Sequence, residues 1–453
     1  MIKSDSKEYS LFTGCLIPSK FPFIEKASRM VLEKLGVKLH AIEGASCCPN
    51  QMAIQSSSYE LWEVLAARNL SLAEQNGHDI LSLCNGCYDT LKTINSRLKN
   101  DEKFKNEINL LLKNFGLEYH GDIDVKHILQ VLHDDIGLNA IDTKVDKRLK
   151  NLKCAPFVGC HVKRPMDHMG FDDPEKPYYL EDLVKVIGGD VISYPEKHSC
   201  CSGGLSIARS DDVAPSARRM LKSILDSGGE ALVVNCPYCF AQFFRNIKEV
   251  NDIYSDSIEL PVFYITQLIG VAFGFEPEEM GMNIHYDFSS GTEETVVEHI
   301  LSTGQDHEVH SGEVTASQLE ICSGCRACTD DCSTAMVVPE YHPEEILDLV
   351  LSGKVEEALK RPDIWYCMNC HECIQHCPQN FGMVKLLVRL KNLAVQNGIF
   401  PEVVANRRAS LQDTSYSFEP DNELRQKMGL DKIKGPELEA FRKLVEEVVR
   451  GNK

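Results

Sequence analysis

Residues 79–87, DILSLCNGC, and residues 231–239, ALVVNCPYC, read alike: a short aliphatic run, long enough for a buried strand, closed by Cys-x-x-Cys. Each ends a longer series. Cys15 and the pair Cys47-Cys48 precede Cys84 and Cys87, and Cys160 and the pair Cys200-Cys201 precede Cys236 and Cys239. The two series are offset by 145, 153 and 152 residues at their three landmarks, which predicts two homologous domains of about 150 residues, at 1–150 and 151–282.

The context of the cysteines repeats as well. YSLFTGC and APFVGC are β-rich runs ending in Gly-Cys, and VKLHAIEGASCC and DVISYPEKHSCC run into the double cysteine. Between them lie helix-period positions such as Ile24, Ala27, Val31, Leu35 and Leu61, Leu65, Ala66, Ala73. Strand, helix, strand, helix, strand, helix predicts a Rossmann-like α/β domain with a parallel sheet. Ligands collect beyond the carboxyl ends of such strands, so five thiols per copy should converge there, facing helix N-termini that favour anions.

Residues 283–317 read as a linker, for SSGTEETVVEHILSTGQDHEVHSGEVTAS is rich in Ser, Gly, Thr and Glu. Residues 318–453 then carry two runs of C-x2-C-x2-C-x3-C, Cys322, Cys325, Cys328, Cys332 and Cys367, Cys370, Cys373, Cys377, around the helical stretch PEEILDLVLSGKVEEALKR. This spacing holds [4Fe–4S] cubanes in bacterial ferredoxins, the fourth cysteine of each run serving the other cluster. One set is then Cys322, Cys325, Cys328 and Cys377, and the other is Cys367, Cys370, Cys373 and Cys332. Structural zinc is the competing use of such cysteines, but zinc ribbons favour two separate Cys-x-x-Cys pairs. Ser333 stands where the run usually carries Pro. The last segment, PELEAFRKLVEEVVR, places Leu438, Phe441, Leu444, Val445, Val448 and Val449 on one face, and we expect a terminal helix packed on its own domain.

Composition sets the outer limits. The chain has 453 residues, 43% hydrophobic and 25% charged, which is ordinary globular usage. A formal net charge of −19 argues against nucleic acid and anionic lipid as partners. MIKSDSKEYSLFTGC has no signal-like apolar core, and Leu260–Phe275 is too short to span a membrane and reads as a buried helix. A cytoplasmic chain keeps thiols reduced, so 19 Cys point to metal rather than disulfides. A cubane needs four thiolates and each N-terminal copy supplies five, so either one is spare or the cluster is not a cubane. Neighbouring residues point their side chains apart, so Cys47 and Cys48 suit different irons better than one. Zinc with a leftover cysteine stays open at this point.

TGCLIP, SCCPN and CNGCYDTL resemble the cysteine-rich CCG domain in the B subunit of heterodisulfide reductase, and VGCHVKRP, HSCCSGG and NCPYC resemble its second CCG domain. Residues 318 to about 415 resemble the C subunit, a helical ferredoxin-like protein, so the chain looks like the B and C subunits fused in that order. The resemblance implies that Cys15, Cys47, Cys48, Cys84 and Cys87 hold one noncubane [4Fe–4S] cluster and Cys160, Cys200, Cys201, Cys236 and Cys239 another. It further implies that the coenzyme M–coenzyme B disulfide is cleaved between them, and that two cubanes relay electrons from a flavin-bearing partner, the A subunit of heterodisulfide reductase, with a hydrogenase or formate dehydrogenase module as a further partner. No dinucleotide fingerprint appears, which agrees with flavin on a partner.

The 18 ligand positions leave Cys154, which reads as a buried core thiol at a strand start. A substrate bearing sulfonate, phosphate and carboxylate groups needs local cations, and Lys20, Lys163 and Arg164 are the candidates nearest cluster cysteines, although surface solvation explains each as well. His161 is a candidate proton donor to a leaving thiolate. Two other functions stay open. One is a CCG-type electron-transfer component of another disulfide, thiol:fumarate or 2-hydroxy-acid oxidoreductase, although such relatives place the ferredoxin part first. The other is a non-catalytic scaffold, against which the complete set of ten CCG cysteines speaks.

Overall fold

The computed structural model describes residues 7–164, 169–282, 322, 324–379 and 381–451. The expected linker, 283–317, lies outside the described residues. β1 (Glu8–Phe12), β2 (Lys38–Ala41), β3 (Ile80–Ser82) and β4 (Val125–His127) form a parallel sheet in the order β2-β1-β3-β4. β5 (Lys153–Phe157), β6 (Asp190–Val191), β7 (Ala231–Val234) and β8 (Val262–Tyr264) repeat it as β6-β5-β7-β8. β3 and β7 are buried along their whole length, as central parallel strands covered on both faces must be.

Each sheet holds one strand more than the alternation in the sequence predicts. VKH and VFY are only three residues long and carry no period of their own. The apolar stretch 260–275 accordingly divides into β8 and the fully buried helix Ile265–Ala272. Among the described residues, no helix is long and apolar enough to cross a membrane. Helix Tyr59–Asn76 follows its apolar period and is closed by ordinary signals, Ser58 capping the Leu61 amide and Gly77 taking a left-handed φ of 73°.

The two repeats share one core. Phe240 meets Phe21 and Phe23 edge-on at 5.1 and 5.5 Å, and the Tyr264 hydroxyl donates to the Leu83 carbonyl at 2.7 Å. Cys154, the second residue of β5, is fully buried, as expected of a core thiol. The C-terminal part is helical, with Pro343–Leu351, Val355–Lys360, Met383–Gln396 and Glu402–Thr414 around a separate core. The terminal helix Leu438–Gly451 packs on its own C-terminal part, as expected, and reaches further. Besides touching Glu402–Thr414, it buries Phe441, Leu444, Val445 and Val448 in the core of the first repeat, with the Arg68 guanidinium 5.6 Å above the Phe441 ring.

Candidate metal centre

Topology brings the thiols together. Cys15 follows β1, and Cys84 and Cys236 follow β3 and β7 as N-caps of the helices Asn85–Asn100 and Pro237–Tyr254. The helix N-termini therefore face the sulfurs and favour their anionic form. One cavity of about 90 Å³ is lined by Cys15, Cys48, Cys84, Cys87, Cys160, Cys200, Cys201, Cys236 and Cys239. Cys47, fully buried, stands behind it against Cys15.

The pairing of thiols is the same in both repeats. The first member of each double cysteine meets the Gly-Cys thiol, Cys47 against Cys15 and Cys200 against Cys160 at 3.8 Å. The second meets the Cys-x-x-Cys thiols, Cys48 against Cys87 and Cys201 against Cys239. Each member of a double cysteine thus has its own partner among the other thiols, although Cys200 and Cys201 also touch each other. The two sets adjoin where Cys84 Sγ and Cys236 Sγ lie 3.9 Å apart. Asn85 holds this seam, donating to the Val158 carbonyl at 2.7 Å while accepting from Asn235 Nδ2 at 2.8 Å.

Contacting thiols divide the charge unequally, so that Cys47, Cys160, Cys201 and Cys236 are pushed toward thiolate while Cys15, Cys84, Cys87, Cys200 and Cys239 are pushed away from it. Contacts with Cys200 and Cys239 bring the Cys201 thiol down to about 5 against the opposing effect of burial, and the Gly203 amide adds to the fall. Burial opposes ionisation of Cys236 too, but contacts with Cys239 and Cys84 and the amides of Cys239 and Asn85 hold it well below the usual thiol range. Glycine is required beside the first cysteine of each series. Gly14 (φ +66°) and Gly159 (φ +78°) are left-handed, and a Cβ there would lie 2.6 Å from Cys87 Sγ and 3.2 Å from Cys239 Sγ respectively.

The basic residues are placed differently from one another. His161 lines the cavity, with Nδ1 3.4 Å from Cys160 Sγ and Nε2 donating to the Asn369 carbonyl at 2.9 Å. Burial works against its charge, yet Cys160 and Asp89 raise its pKa well above the usual value. Lys163, Arg164 and Lys20 do not line the cavity. Lys163 is buried and donates to the His198 carbonyl at 3.0 Å, with burial pulling its pKa down to about 7. Arg164 is buried against Glu372 at 3.0 Å, and Lys20 is exposed at the end of a short helix.

In the C-terminal part a cavity of about 350 Å³ is lined by Cys322, Cys325, Cys328, Cys377 and also Cys373. Cys332 is half-buried, with Cys370 and Cys367 as its neighbours. Cys373 borders both groups, sensing Cys367, Cys370, Cys332 and Cys328 in that order. Cys370 in turn lies against Cys200 of the second repeat. Ser333 has a role that the cysteine run alone does not reveal: its hydroxyl donates to Glu372 Oε2 at 2.6 Å and accepts from the Cys200 amide at 3.3 Å. A Pro at that position would lose both bonds. Lys391, buried in the same region, donates to the Cys367 carbonyl at 2.8 Å. Met368, Met52 and Phe418 complete the wall of the N-terminal cavity, although their sequence positions carry no signal of it.

Comparisons with known proteins agree with this geometry. The cysteine-rich domain model matches residues 9–92 and 154–244, and the 4Fe-4S dicluster domain model matches 321–381. The B subunit of a ferredoxin/F420H2-dependent CoB-CoM heterodisulfide reductase from Methanosarcina acetivorans is 35% identical over 306 residues, 67% of this chain and 98% of its own. The 8-methylmenaquinol:fumarate reductase membrane anchor subunit of Wolinella succinogenes is 30% identical over 277 residues, 61% and 96% of the two chains. A CoB–CoM heterodisulfide reductase iron-sulfur protein of Methanocaldococcus jannaschii, the second of its C subunits, is 30% identical over 142 residues, covering 30% of this chain and 74% of its own.

Proposed function

The chain belongs to the family of heterodisulfide reductase B subunits, extended at its C-terminal end by a part like the C subunit, and on that premise we propose that it reduces the CoB-CoM disulfide to two thiols. The observation that carries the proposal is one cavity lined by nine thiols from two repeats, with the two sets meeting at Cys84 and Cys236. In this reading Cys15, Cys47, Cys48, Cys84 and Cys87 hold one noncubane [4Fe–4S] cluster, and Cys160, Cys200, Cys201, Cys236 and Cys239 hold the other. The donor sets fit, each being five converging thiols in mutual contact, with Cys47 in the first set and Cys160, Cys201 and Cys236 in the second pushed toward the charged form. Bound there, the clusters supply the two electrons of S–S cleavage and iron sites for both sulfurs.

The chain's own residues do the rest. Met52, Met368, Leu16 and Phe418 keep water from the sulfurs. His161, fixed by Asn369 at Nε2, holds a proton at Nδ1 beside Cys160 and donates it to a departing thiolate, while solvent supplies the second. Cys332, Cys367, Cys370 and Cys373 hold a cubane next to the second repeat, through the contact of Cys370 with Cys200. Cys322, Cys325, Cys328 and Cys377 hold a second cubane, and the exposed Cys325 makes it the point of electron input. The donor there is the flavin-bearing A subunit of heterodisulfide reductase, itself supplied by a hydrogenase or formate dehydrogenase module. The division into 1–150, 151–282 and a unit from 318 onward belongs to the same proposal. Similarity to the Wolinella fumarate reductase protein favours, as second reading, electron transfer to another acceptor. Anaerobic protein should contain about 16 Fe per chain, and Cys47→Ala or Cys200→Ala should abolish disulfide reduction. Wild-type turnover in both variants would contradict the two-cluster reading.

A further inference from the structure

The wall of the thiol cavity is not built by the two repeats alone. Beyond helix Glu402–Thr414 the chain turns at Ser415, whose φ is 64°, and crosses to the first repeat. There the Ser415 carbonyl accepts from the Cys47 amide at 3.1 Å, the Tyr416 hydroxyl donates to the Ala45 carbonyl at 2.6 Å, and Ser417 Oγ accepts from Asn50 at 3.0 Å while lying 3.6 Å from Cys47 Sγ. The next side chain, Phe418, lines the cavity. Beyond it the strap is held down by the Asp421 amide on the Pro18 carbonyl and by the buried ion pair of Arg425 with Glu25.

Arg407 is tied to this strap. Its Nη1 donates to the Ser417 carbonyl at 3.1 Å, and its guanidinium carbon lies 3.9 Å from the centre of the Phe418 ring. Among the described residues, no other acceptor is recorded for its remaining N–H groups. Its charge is felt by Tyr238, another residue of the cavity wall. Among the described residues, no Lys or Arg lines the cavity itself, and His161 is the one basic residue that does. A cavity walled by thiolates repels anions, so an anionic ligand reaching them requires a cation beside its path.

We infer that Arg407, presented by the strap 415–418, is the anchor for an anionic end of the disulfide. The inference rests on the proposed reductase reading and deepens it: the ligand class is a disulfide with a carboxylate, sulfonate or phosphate end, which a planar guanidinium grips by paired hydrogen bonds. The C-terminal part then supplies substrate specificity as well as electrons.

The test uses full-length, iron-loaded protein and Arg407→Gln and Arg407→Lys. Two disulfides are compared, sulfonate-ended 2,2′-dithiodiethanesulfonate and uncharged 2-hydroxyethyl disulfide, together with calorimetric binding of the thioether analogue of the sulfonate. The Gln variant should raise KM for the sulfonate relative to the neutral disulfide about tenfold, the size of a lost charge-assisted contact, and weaken thioether binding by a similar factor. The Lys variant should recover part of both. Iron content equal to wild type guards against misfolding. An unchanged KM ratio with unchanged thioether binding overturns the anchor. Arg407-dependent thioether binding in a protein that reduces neither of these disulfides nor the CoB-CoM heterodisulfide keeps the anchor and removes the reductase reading.

Discussion

Replacing Glu372 with Ala cuts the chain of contacts that joins the C-terminal part to the second thiol set. The Arg164 and Glu372 side chains are only 3% and 9% exposed, with N–O separation 3.0 Å, and the other carboxylate oxygen takes the Ser333 hydroxyl that in turn holds the Cys200 amide. Truncation leaves a buried guanidinium with Gln375 as its remaining partner. Removing one member of a buried pair costs about 3–5 kcal/mol, because the surviving charge stays desolvated. At about 2–3 °C per kcal/mol for a large domain, the apparent melting midpoint should fall about 6–15 °C. The assay is an anaerobic melt at one fixed scan rate, since unfolding of an iron–sulfur protein is not expected to reverse. Arg164→Met combined with Glu372→Ala removes both charges and should recover most of the loss, as apolar replacements of buried pairs do. A single-variant fall in the midpoint below about 2 °C, or a double variant no better than the single, refutes the reasoning.

Further expectations concern separate parts of the molecule. Burial works against the charged His133 ring, but hydrogen bonds to Asp134 at 2.9 Å and Asp182 at 3.4 Å raise its pKa to about 9. A raised folded pKa stabilises below the unfolded value of about 6.5 and loses that effect as pH passes 9, so wild type should exceed His133→Gln by about 2 kcal/mol at pH 6 and match it at pH 10. Gly14→Ala forces a Cβ to 2.6 Å from Cys87 Sγ and should cut iron from about 16 to about 12 per chain without touching the second set. Cys377→Ser should remove the cubane signal of the Cys322 set and Cys332→Ser that of the Cys367 set. Cys373 borders both groups, so Cys373→Ser should behave as Cys332→Ser does in paramagnetic resonance, and behaviour like Cys377→Ser would reverse the crossing assignment.

The thiol cavity was legible because its residues are chemically rare and recur at fixed offsets. Once the strands are parallel, cysteines at strand ends can only converge. Contacts reaching across the chain were not legible, since Ser417 meets Cys47 from 370 positions away and leaves no period. Lys163 and Arg164 looked like substrate cations because they follow Cys160. Only the fold shows that Glu372, supplied by the C-terminal part, buries Arg164, while Lys163 turns to the His198 carbonyl. The terminal helix illustrates the same limit, for its apolar stripe was plain but its partner was not. Ser333 was visible as a departure from the usual Pro, and its meaning emerged with the Cys200 amide beside it.

The central claim is that this one chain holds the site where a disulfide is split. The most direct measurement follows the anaerobic oxidation of a reduced viologen dye on adding the CoB-CoM heterodisulfide to purified, iron-loaded protein, with homodisulfides as controls. The account predicts rapid oxidation, selective for the heterodisulfide, with no other protein present. Protein with about 16 Fe per chain that oxidises no dye with any of these disulfides would contradict it.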